Sequence, residues 1–382
     1  MQKKHKIFII AGEASGDYIG SKLIVALRSK IPESSFHGVG GEKMNQAGVT
    51  SIFPIEDLSV MGLIEVLPKI PEIMHRMNQV LNSIDIIKPD VIITIDSPAF
   101  NFRLVKKIRN KLKLKTPIIH YVAPTVWAYK PERAQLISKL FNHILLILPF
   151  EKKYFDAVNL PATFVGHPII EDNIPSINFD AIRKKYNLRN EKIITLFPGS
   201  RIFEIKQHLP VLTKFMRALS NKYGSIKYCI PTLPGLKNII EDALSDDLII
   251  TDDIQEKDYF LSISDLAICK SGTVSLEAMK KNIPSVVGYK VNKITAWWVR
   301  QKLMIKYVTL CNILLDEEVI PELLQENFTV ENLTQAAVKL LENRDCREKQ
   351  KDRYKKALKK LQPKINELPS IIAAEVICSY IL

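Results

Sequence analysis

The sequence has few of the features that mark several large protein classes. Its five cysteines are scattered without a CxxC pair, and no apolar run approaches the roughly 18 residues needed to span a bilayer. It also lacks RNP, KH, zinc-finger and helix-turn-helix signatures. These absences argue against a disulfide scaffold, a zinc site, a membrane-spanning helix and a nucleic-acid partner, and they favour a reducing compartment.

Cofactor fingerprints are lacking as well. The run Gly38-Val39-Gly40-Gly41 fails the GxGxxG pattern because Lys43 stands where the third glycine should be, so a nicotinamide cofactor is disfavoured. No Asp-x-Asp motif is present to hold a divalent metal on a diphosphate. We therefore predict no cofactor and no metal.

Charge is what the sequence has in excess, with a formal net value of +13 over 382 residues. An anionic membrane surface and phosphorylated substrates are candidate partners for such a chain. A basic solvated surface without a specific partner is the alternative. The basic start leads into an apolar run that Glu13 and Asp17 soon interrupt, which predicts a first strand and not a signal peptide.

Short β-branched apolar runs alternate with helical stretches such as Gly20–Lys30 and Phe102–Lys113. This is the pattern of a parallel sheet with crossover helices, and it predicts α/β architecture with two doubly wound, Rossmann-like domains. The predicted strands are Lys6–Ala11, Val91–Ile95, Pro117–Val122, Ile144–Leu148, Lys192–Phe197, Ile226–Ile230, Leu248–Ile250, Leu266–Cys269 and Pro284–Val287.

A polar, proline-bearing stretch around Asn173–Asn178 predicts a linker between the domains. We expect one α/β domain over residues 1–172, a second over 173–345, and a helical C-terminal segment over 346–382 that packs back across the domains or on a partner subunit. A ligand cleft is expected between the domains, at the carboxyl ends of the strands.

Two turns of the second domain suit phosphate. Ser271-Gly272-Thr273 follows a buried strand and begins a helix, with Ser271 as the expected N-cap and Glu277 one turn further along the helix for a ribose. Gly199-Ser200-Arg201 follows another strand and offers N–H donors and a planar cation. An ordinary capped helix with a solvated glutamate is the alternative reading of the first turn.

The first domain carries carboxylates at strand ends. The loop Gly12–Asp17 holds Glu13, Ser15 and Asp17, and Asp96 closes the strand Val91–Ile95. Partly desolvated, Asp96 could act as a general base. The alternatives are that these acids merely cap turns and helices.

Several aromatic residues have two readings. Trp127 could line an acceptor pocket or pack in the core. The predicted helix Ile294–Lys306 carries Trp297 and Trp298 beside lysines, which suits a membrane interface, or else a core or subunit-contact face that would make a homodimer. The apolar stretch Leu58–Met77 could grip an acyl chain or the bilayer.

Taken together, these motifs resemble the lipid-A-disaccharide synthase family, inverting glycosyltransferases of the GT-B class. The resemblance spans most of the chain and rests on Gly12–Asp17, Asp96-Ser97-Pro98, Pro124-Thr125-Val126-Trp127-Ala128, Val165-Gly166-His167-Pro168, Pro198-Gly199-Ser200-Arg201 and Ser271-Gly272-Thr273.

The resemblance implies a reaction between UDP-2,3-diacylglucosamine and 2,3-diacylglucosamine 1-phosphate that gives a β-1,6-linked disaccharide and UDP. It implies a peripheral enzyme at the cytoplasmic face of the inner membrane of Gram-negative bacteria. Its residue roles would be catalytic for Asp96 and Glu13, acceptor-binding for Ser15, Asp17 and Trp127, and donor-binding for Gly199, Ser200, Arg201, Ser271, Gly272, Thr273, Glu277, Asn312 and Gln325.

The sequence departs from the family pattern at Cys311, where the family usually has proline, and at Tyr129 and Lys130, where tryptophan and arginine are common. Another UDP-GlcNAc enzyme of the same fold, an epimerase or an undecaprenyl-linked GlcNAc transferase, would share the donor turns. A non-catalytic lipid- or membrane-binding protein would need only the basic Trp-bearing helix.

Overall fold

The computed structural model describes residues 4–58, 69–171, 178–244, 248–292, 304–365 and 367–382. The chain divides into two compact units, one of Met1–Glu171 with Leu361–Leu382 and the other of Asp172–Lys360. The described residues leave out residues 294–303 of the predicted helix Ile294–Lys306, with Trp297 and Trp298, residues 59–68 of the stretch Leu58–Met77, and most of the predicted linker.

The first unit is built on a parallel seven-stranded sheet with the order β3-β2-β1-β4-β5-β6-β7. Its strands are β1 Lys6–Ala11, β2 Ser35–Val39, β3 Thr50–Ser51, β4 Val91–Ile95, β5 Ile118–Tyr121, β6 His143–Leu146 and β7 Ala162–Phe164. The central strands are buried on both faces, which explains their continuous apolar sequences.

Helices cover both faces of this sheet and enclose two separate apolar clusters. The first unit contains α1 Ala14–Lys30, α2 Glu42–Gln46, α3 Ile70–Ile87, α4 Pro98–Lys107, α5 Arg133–Ile137, α6 Lys152–Asp156 and, from the end of the chain, α15 Pro369–Cys378. The helix α4 continues into a π-helical turn at Ile108–Leu112.

The second unit repeats this architecture with a parallel six-stranded sheet of order β10-β9-β8-β11-β12-β13. Its strands are β8 Lys192–Leu196, β9 Ile226–Pro231, β10 Ile249–Thr251, β11 Leu266–Cys269, β12 Ser285–Tyr289 and β13 Glu322–Leu324. Its helices are α7 Phe179–Lys185, α8 Ile202–Tyr223, α9 Lys237–Glu241, α10 Ile254–Ile263, α11 Thr273–Lys280, α12 Leu310–Leu315, α13 Val330–Glu342 and α14 Arg344–Leu361.

The helical segment expected over 346–382 is present, and its two helices belong to different units. The helix α14 buries Gln350, Tyr354 and Ala357 in the second unit. The helix α15 instead contacts α1, and Ile377 is fully buried in the first unit's core. An ion pair of 2.8 Å between Lys30 and Glu375 accompanies that contact.

Candidate functional site

Each sheet reverses its winding direction at one pair of neighbouring strands. In the first sheet the pair is β1 and β4, with Ala11 opposite Ile95, and in the second it is β8 and β11, with Leu196 opposite Ile268. Ligands of open parallel sheets bind outside the carboxyl ends of the strands at such a switch point. The loops singled out in the sequence leave these four strand ends.

The first unit brings Glu13, Ser15 and Asp96 together. Ser15 Oγ donates to a carboxylate oxygen of Asp96 at 3.3 Å, and Ser97 Oγ donates to Glu13 at 3.5 Å. The loops approach so closely that a Cβ on Gly12 would lie 2.5 Å from Ser97 Oγ. The three predicted residues therefore form one polar cluster at the switch point.

The backbone at Asp96 has an unusual conformation. Asp96 and Ser97 have φ values of 50° and 45°, in the left-handed region that non-glycine residues seldom adopt. Asn101, fully buried at the start of α4, donates from Nδ2 to the carbonyl of Asp96 at 2.7 Å and to that of Ile95 at 3.3 Å. Asn101 therefore holds the turn that presents the Asp96 side chain.

Burial raises the pKa of Asp96 above its usual range, although hydrogen bonds from the Ser97 N–H and the Ser15 hydroxyl oppose the rise. A carboxylate with a raised pKa accepts a proton more readily than an exposed one. Asp96 is thus chemically suited to the role of a general base, while Glu13 lies beside it at the N-cap of α1.

Trp127 lies on the loop after β5 and is fixed by a buried carboxyl group. Its indole Nε1 donates to Glu151 at 3.2 Å, and its ring meets Phe150 edge to face at 5.1 Å. Burial raises the pKa of Glu151 to about 8. Trp127 lies after β5, whereas Phe150 and Glu151 lie after β6. These two strands are neighbours, so both loops leave the carboxyl edge of the first sheet side by side.

The predicted acceptor-binding role of Asp17 does not fit its surroundings. Asp17 is buried, and its carboxylate accepts from the backbone N–H groups of Gly41, Lys43 and Met44 at 2.8–3.0 Å. Its oxygens thus satisfy the first turn of α2. We therefore propose that Asp17 fixes α2 and does not contact the acceptor.

In the second unit the Gly199–Ser200 turn is tied to Glu204, which the sequence argument overlooked. Gly199 has φ of 141°, and a Cβ there would lie 2.5 Å from Cβ of Glu204. The Ser200 N–H, expected to face a phosphate, donates instead to Glu204 at 2.9 Å. Arg201 is exposed and is the N-cap residue of α8.

Lys270 also received no role from the sequence. It directly follows β11, and its ammonium donates to both carboxylate oxygens of Glu204 at 2.8–2.9 Å and to Ser200 Oγ at 3.1 Å. Its position alone could have marked it as a candidate, since Lys270 lies between a buried strand and a glycine-containing turn. The partner Glu204 gave no signal because an acid in the first turn of a helix usually faces solvent.

The helix α11 begins as predicted at Thr273, but its N-cap residue is Gly272 and not Ser271. The Ser271 hydroxyl donates to the carbonyl of Val308 at 2.7 Å, so no side chain caps the helix. Gly272 has φ of 145° and open space around it. The start of α11 therefore keeps backbone donors and a favourable dipole for an anion.

The remaining predicted donor-binding residues differ in whether their polar atoms could reach a ligand. Glu277 pairs with Lys257 at 2.6 Å, and Gln325, in a left-handed conformation after β13, accepts from the Val291 N–H at 3.3 Å. Asn312 is fully buried, and its amide bonds to the backbone of Val319 and Ile320 and to Glu322. Its polar atoms are all satisfied internally, so we propose a structural role for Asn312 in place of the predicted donor contact.

The described residues contain neither a candidate metal cluster nor a membrane-spanning helix. No group of three or more His, Cys, Asp or Glu side chains there could hold a metal ion. Within the same residues, no helix combines the length and the apolar character that crossing a membrane requires.

Two doubly wound parallel sheets, each with a topological switch point, are the architecture of the GT-B fold class. A solved UDP-GlcNAc 2-epimerase from Neisseria meningitidis has this fold, with a TM-score of 0.63, 14% identity and coverage of 98% of both chains.

The family model described as Lipid-A-disaccharide synthetase matches residues 7–376, and the chain belongs to that family. Lipid-A-disaccharide synthase of Rhodospirillum centenum is 37% identical over 91% of this chain and 87% of its own length. That of Rickettsia canadensis is 38% identical over 97% of both chains. The protein is a glycosyltransferase of lipid A disaccharide synthesis, and the family match favours neither the epimerase nor the undecaprenyl-linked transferase.

Proposed function

We propose that the enzyme transfers a 2,3-diacylglucosamine residue from its UDP conjugate to the 6-hydroxyl of 2,3-diacylglucosamine 1-phosphate. The products are the β-1,6-linked disaccharide 1-phosphate and UDP. The observation that carries the proposal is the polar cluster of Glu13, Ser15 and Asp96 at the switch point of the first sheet, together with the uncapped helix start of α11 at the switch point of the second sheet.

On the acceptor side, Asp96 takes the proton of the 6-hydroxyl as its oxygen attacks the anomeric carbon of the donor. Its raised pKa and the bond from Ser15 support this role. A single displacement inverts the anomeric configuration, and it requires that the nucleophile be aligned with the departing diphosphate. Glu13, in the loop after β1, assists Asp96 by accepting a hydrogen bond from the neighbouring Ser97. Trp127, held by Glu151, offers an aromatic face to the acceptor.

On the donor side, the charge that develops on the departing UDP is stabilised by the second unit. The uncapped start of α11 at Gly272–Thr273 supplies N–H groups and the helix dipole, and Arg201 supplies a cation. We propose that these groups replace a divalent metal. Glu277 accepts from the ribose hydroxyls after exchange with Lys257, and Gln325 completes the donor side.

The enzyme's substrates carry acyl chains, so we place it at an anionic membrane surface, peripheral to the cytoplasmic face of the inner membrane. The net charge of +13 supports attraction to such a surface. Flotation with anionic vesicles tests this placement. Failure to float at low salt would contradict it.

The decisive test is incubation with UDP-2,3-diacylglucosamine and 2,3-diacylglucosamine 1-phosphate, followed by mass analysis. We expect the disaccharide 1-phosphate from the unaltered protein and a loss of about 100-fold or more in turnover from Asp96→Asn. Asp85→Asn is a matched control, because Asp85 is an exposed residue of α3. Full activity of Asp96→Asn would remove Asp96 as the base, and absence of disaccharide from the unaltered protein would overturn the reaction.

A further inference from the structure

The second unit contains a buried carboxylate that the proposed reaction leaves without a role. Glu204 lies in the first turn of α8, and its side chain is 1% exposed. It accepts from the Ser200 N–H, from the Lys270 ammonium and, at 3.4 Å, from the Tyr289 hydroxyl. A buried charge is tolerated only when paired and hydrogen-bonded in this way.

Glu204 accepts hydrogen bonds from residues at the carboxyl ends of three strands. Ser200 follows β8, Lys270 follows β11, and Tyr289 ends β12, and these strands are consecutive in the sheet. His208, one turn further along α8, binds the carbonyl of Pro198 through Nδ1 at 2.5 Å and accepts from the Lys290 N–H at Nε2. One face of α8 therefore fixes the loops that border the donor turns.

The ammonium of Lys270 faces both the buried carboxylate and the outer loop. Two of its bonds go inward to Glu204, while the third goes to the hydroxyl of Ser200, an exposed residue. The Lys270 side chain keeps 21% of its surface exposed. Its third proton is thus the one that an incoming phosphate oxygen can reach.

We propose that Lys270 binds the diphosphate of the donor and that Glu204 positions its ammonium for this contact. A phosphate oxygen replaces the Ser200 hydroxyl as the acceptor of the third proton. The helix start at Gly272 lies two residues away in the chain, so the cation and the backbone donors act on the same group. The inference rests on the proposed function for the identity of the donor, but the binding of a nucleoside diphosphate can be measured without turnover.

The charge state supports this arrangement. Burial alone would raise the pKa of Glu204. The hydrogen bond and charge of Lys270, together with the Ser200 N–H and the charge of Arg201, outweigh burial and hold that pKa below its usual range. Glu204 is therefore ionised at neutral pH and restrains the flexible lysine. A restrained cation loses less conformational entropy on binding a ligand than a free one.

The test measures UDP affinity by calorimetry and the KM of each substrate for Lys270→Met and Glu204→Gln. We expect Lys270→Met to weaken UDP binding by about 10- to 100-fold, as loss of a charged hydrogen bond does, and to raise the donor KM while leaving the acceptor KM within about twofold. Glu204→Gln should weaken UDP binding less. Because Glu204 acts through Lys270, the double variant should resemble Lys270→Met instead of adding both losses.

Lys281→Met is the matched control. Lys281 follows the opposite end of α11 and pairs with Asp258 at 3.6 Å, so its loss removes an ion pair without touching the turn. Thermal melting of each variant shows whether the fold is kept, and Lys270→Arg should restore part of the affinity if the cation matters.

Unaltered UDP affinity in a folded Lys270→Met variant, or no affinity for UDP in the unaltered protein, would overturn the inference. Equal increases in donor and acceptor KM would indicate a merely structural role and would also overturn it. If UDP binding falls as expected but no disaccharide forms, the reaction assignment fails while the diphosphate contact stands.

Discussion

Asp96 combines burial with a left-handed backbone and one flexible hydrogen-bond donor, Ser15. Burial favours the neutral acid, whereas the Ser15 hydroxyl favours the carboxylate. The balance between them decides the pH at which the group becomes a base. Because the pKa of Asp96 is raised, activity should increase as pH rises through a value above that of an exposed aspartate.

We expect Ser15→Ala to move the acidic limb of the profile of kcat/KM against pH further toward high pH. The hydroxyl lowers the pKa of Asp96, and its removal leaves burial less opposed. Above the limb the variant should retain most of its activity, since the base is ionised there. Ser34→Ala serves as the control, because the Ser34 hydroxyl bonds only to the carbonyl of Ile31 outside the site. An acidic limb that stays in place, or moves to lower pH, would contradict the hydrogen bond from Ser15 to Asp96 as a cause that lowers the pKa.

Residues that the sequence could not reveal share one property, which is that their partners are distant in the chain. Glu204 and Lys270 lie 66 positions apart, and neither belongs to a local motif that requires the other. The sequence could place Asp96 and Ser15 near each other, because Asp96 directly follows β4 and Ser15 lies four residues after β1. The internal bonds of Asp17 and Asn312 could not be foreseen, since a polar residue near a motif does not disclose that backbone groups already occupy its oxygens.

At the scale of elements, prediction succeeded for most of the central strands and for the edge strand β10, and it failed at the other three sheet edges. Lys6–Ala11, Val91–Ile95 and Leu266–Cys269 have the predicted bounds because strands buried on both faces read as apolar runs. The edge strands β3, β7 and β13 have only two or three residues and were missed. The strand β2 was missed because His37 and Gly38 interrupt its apolar pattern.

The short helix α2 depends on a carboxylate from outside it, and this gives a test of the reassigned Asp17. Asp17→Ala leaves the N–H groups of Gly41, Lys43 and Met44 without their acceptor, so we expect a loss of about 2–4 kcal/mol in the free energy of unfolding. Urea denaturation measures it. The acceptor KM of the folded variant should be unchanged.

The exposed Glu42→Ala, in the same helix, is the control and should cost about 0.5 kcal/mol or less. If Asp17→Ala instead kept full stability and raised the acceptor KM, the original acceptor-binding prediction would stand and the capping role would fall.

At the scale of the whole molecule, the first unit is completed by the last helix of the chain. Ile377 of α15 is fully buried against the cluster that contains Leu23 and Leu27 of α1. Ile377→Ala should therefore lower the free energy of unfolding of the first unit by about 2–5 kcal/mol. Hydrogen exchange in β1 should accelerate, while β8, in the other unit, should keep its protection.

Ile86→Ala provides the comparison, because Ile86 lies on α3 of the same unit and is 80% exposed. It should change stability by about 0.5 kcal/mol or less. Equal acceleration of exchange in β1 and β8 would show that α15 does not act on the first unit alone.

This chain order has a consequence for synthesis on the ribosome. The second unit, Asp172–Lys360, is translated before α15, so it can fold while the first unit still exposes the apolar groove that α15 will fill. During that interval the nascent first unit has a bare surface along α1, available to chaperones and to neighbouring nascent chains. Translation pauses near the end of the messenger RNA would therefore delay completion of the first unit, most of which is synthesised first.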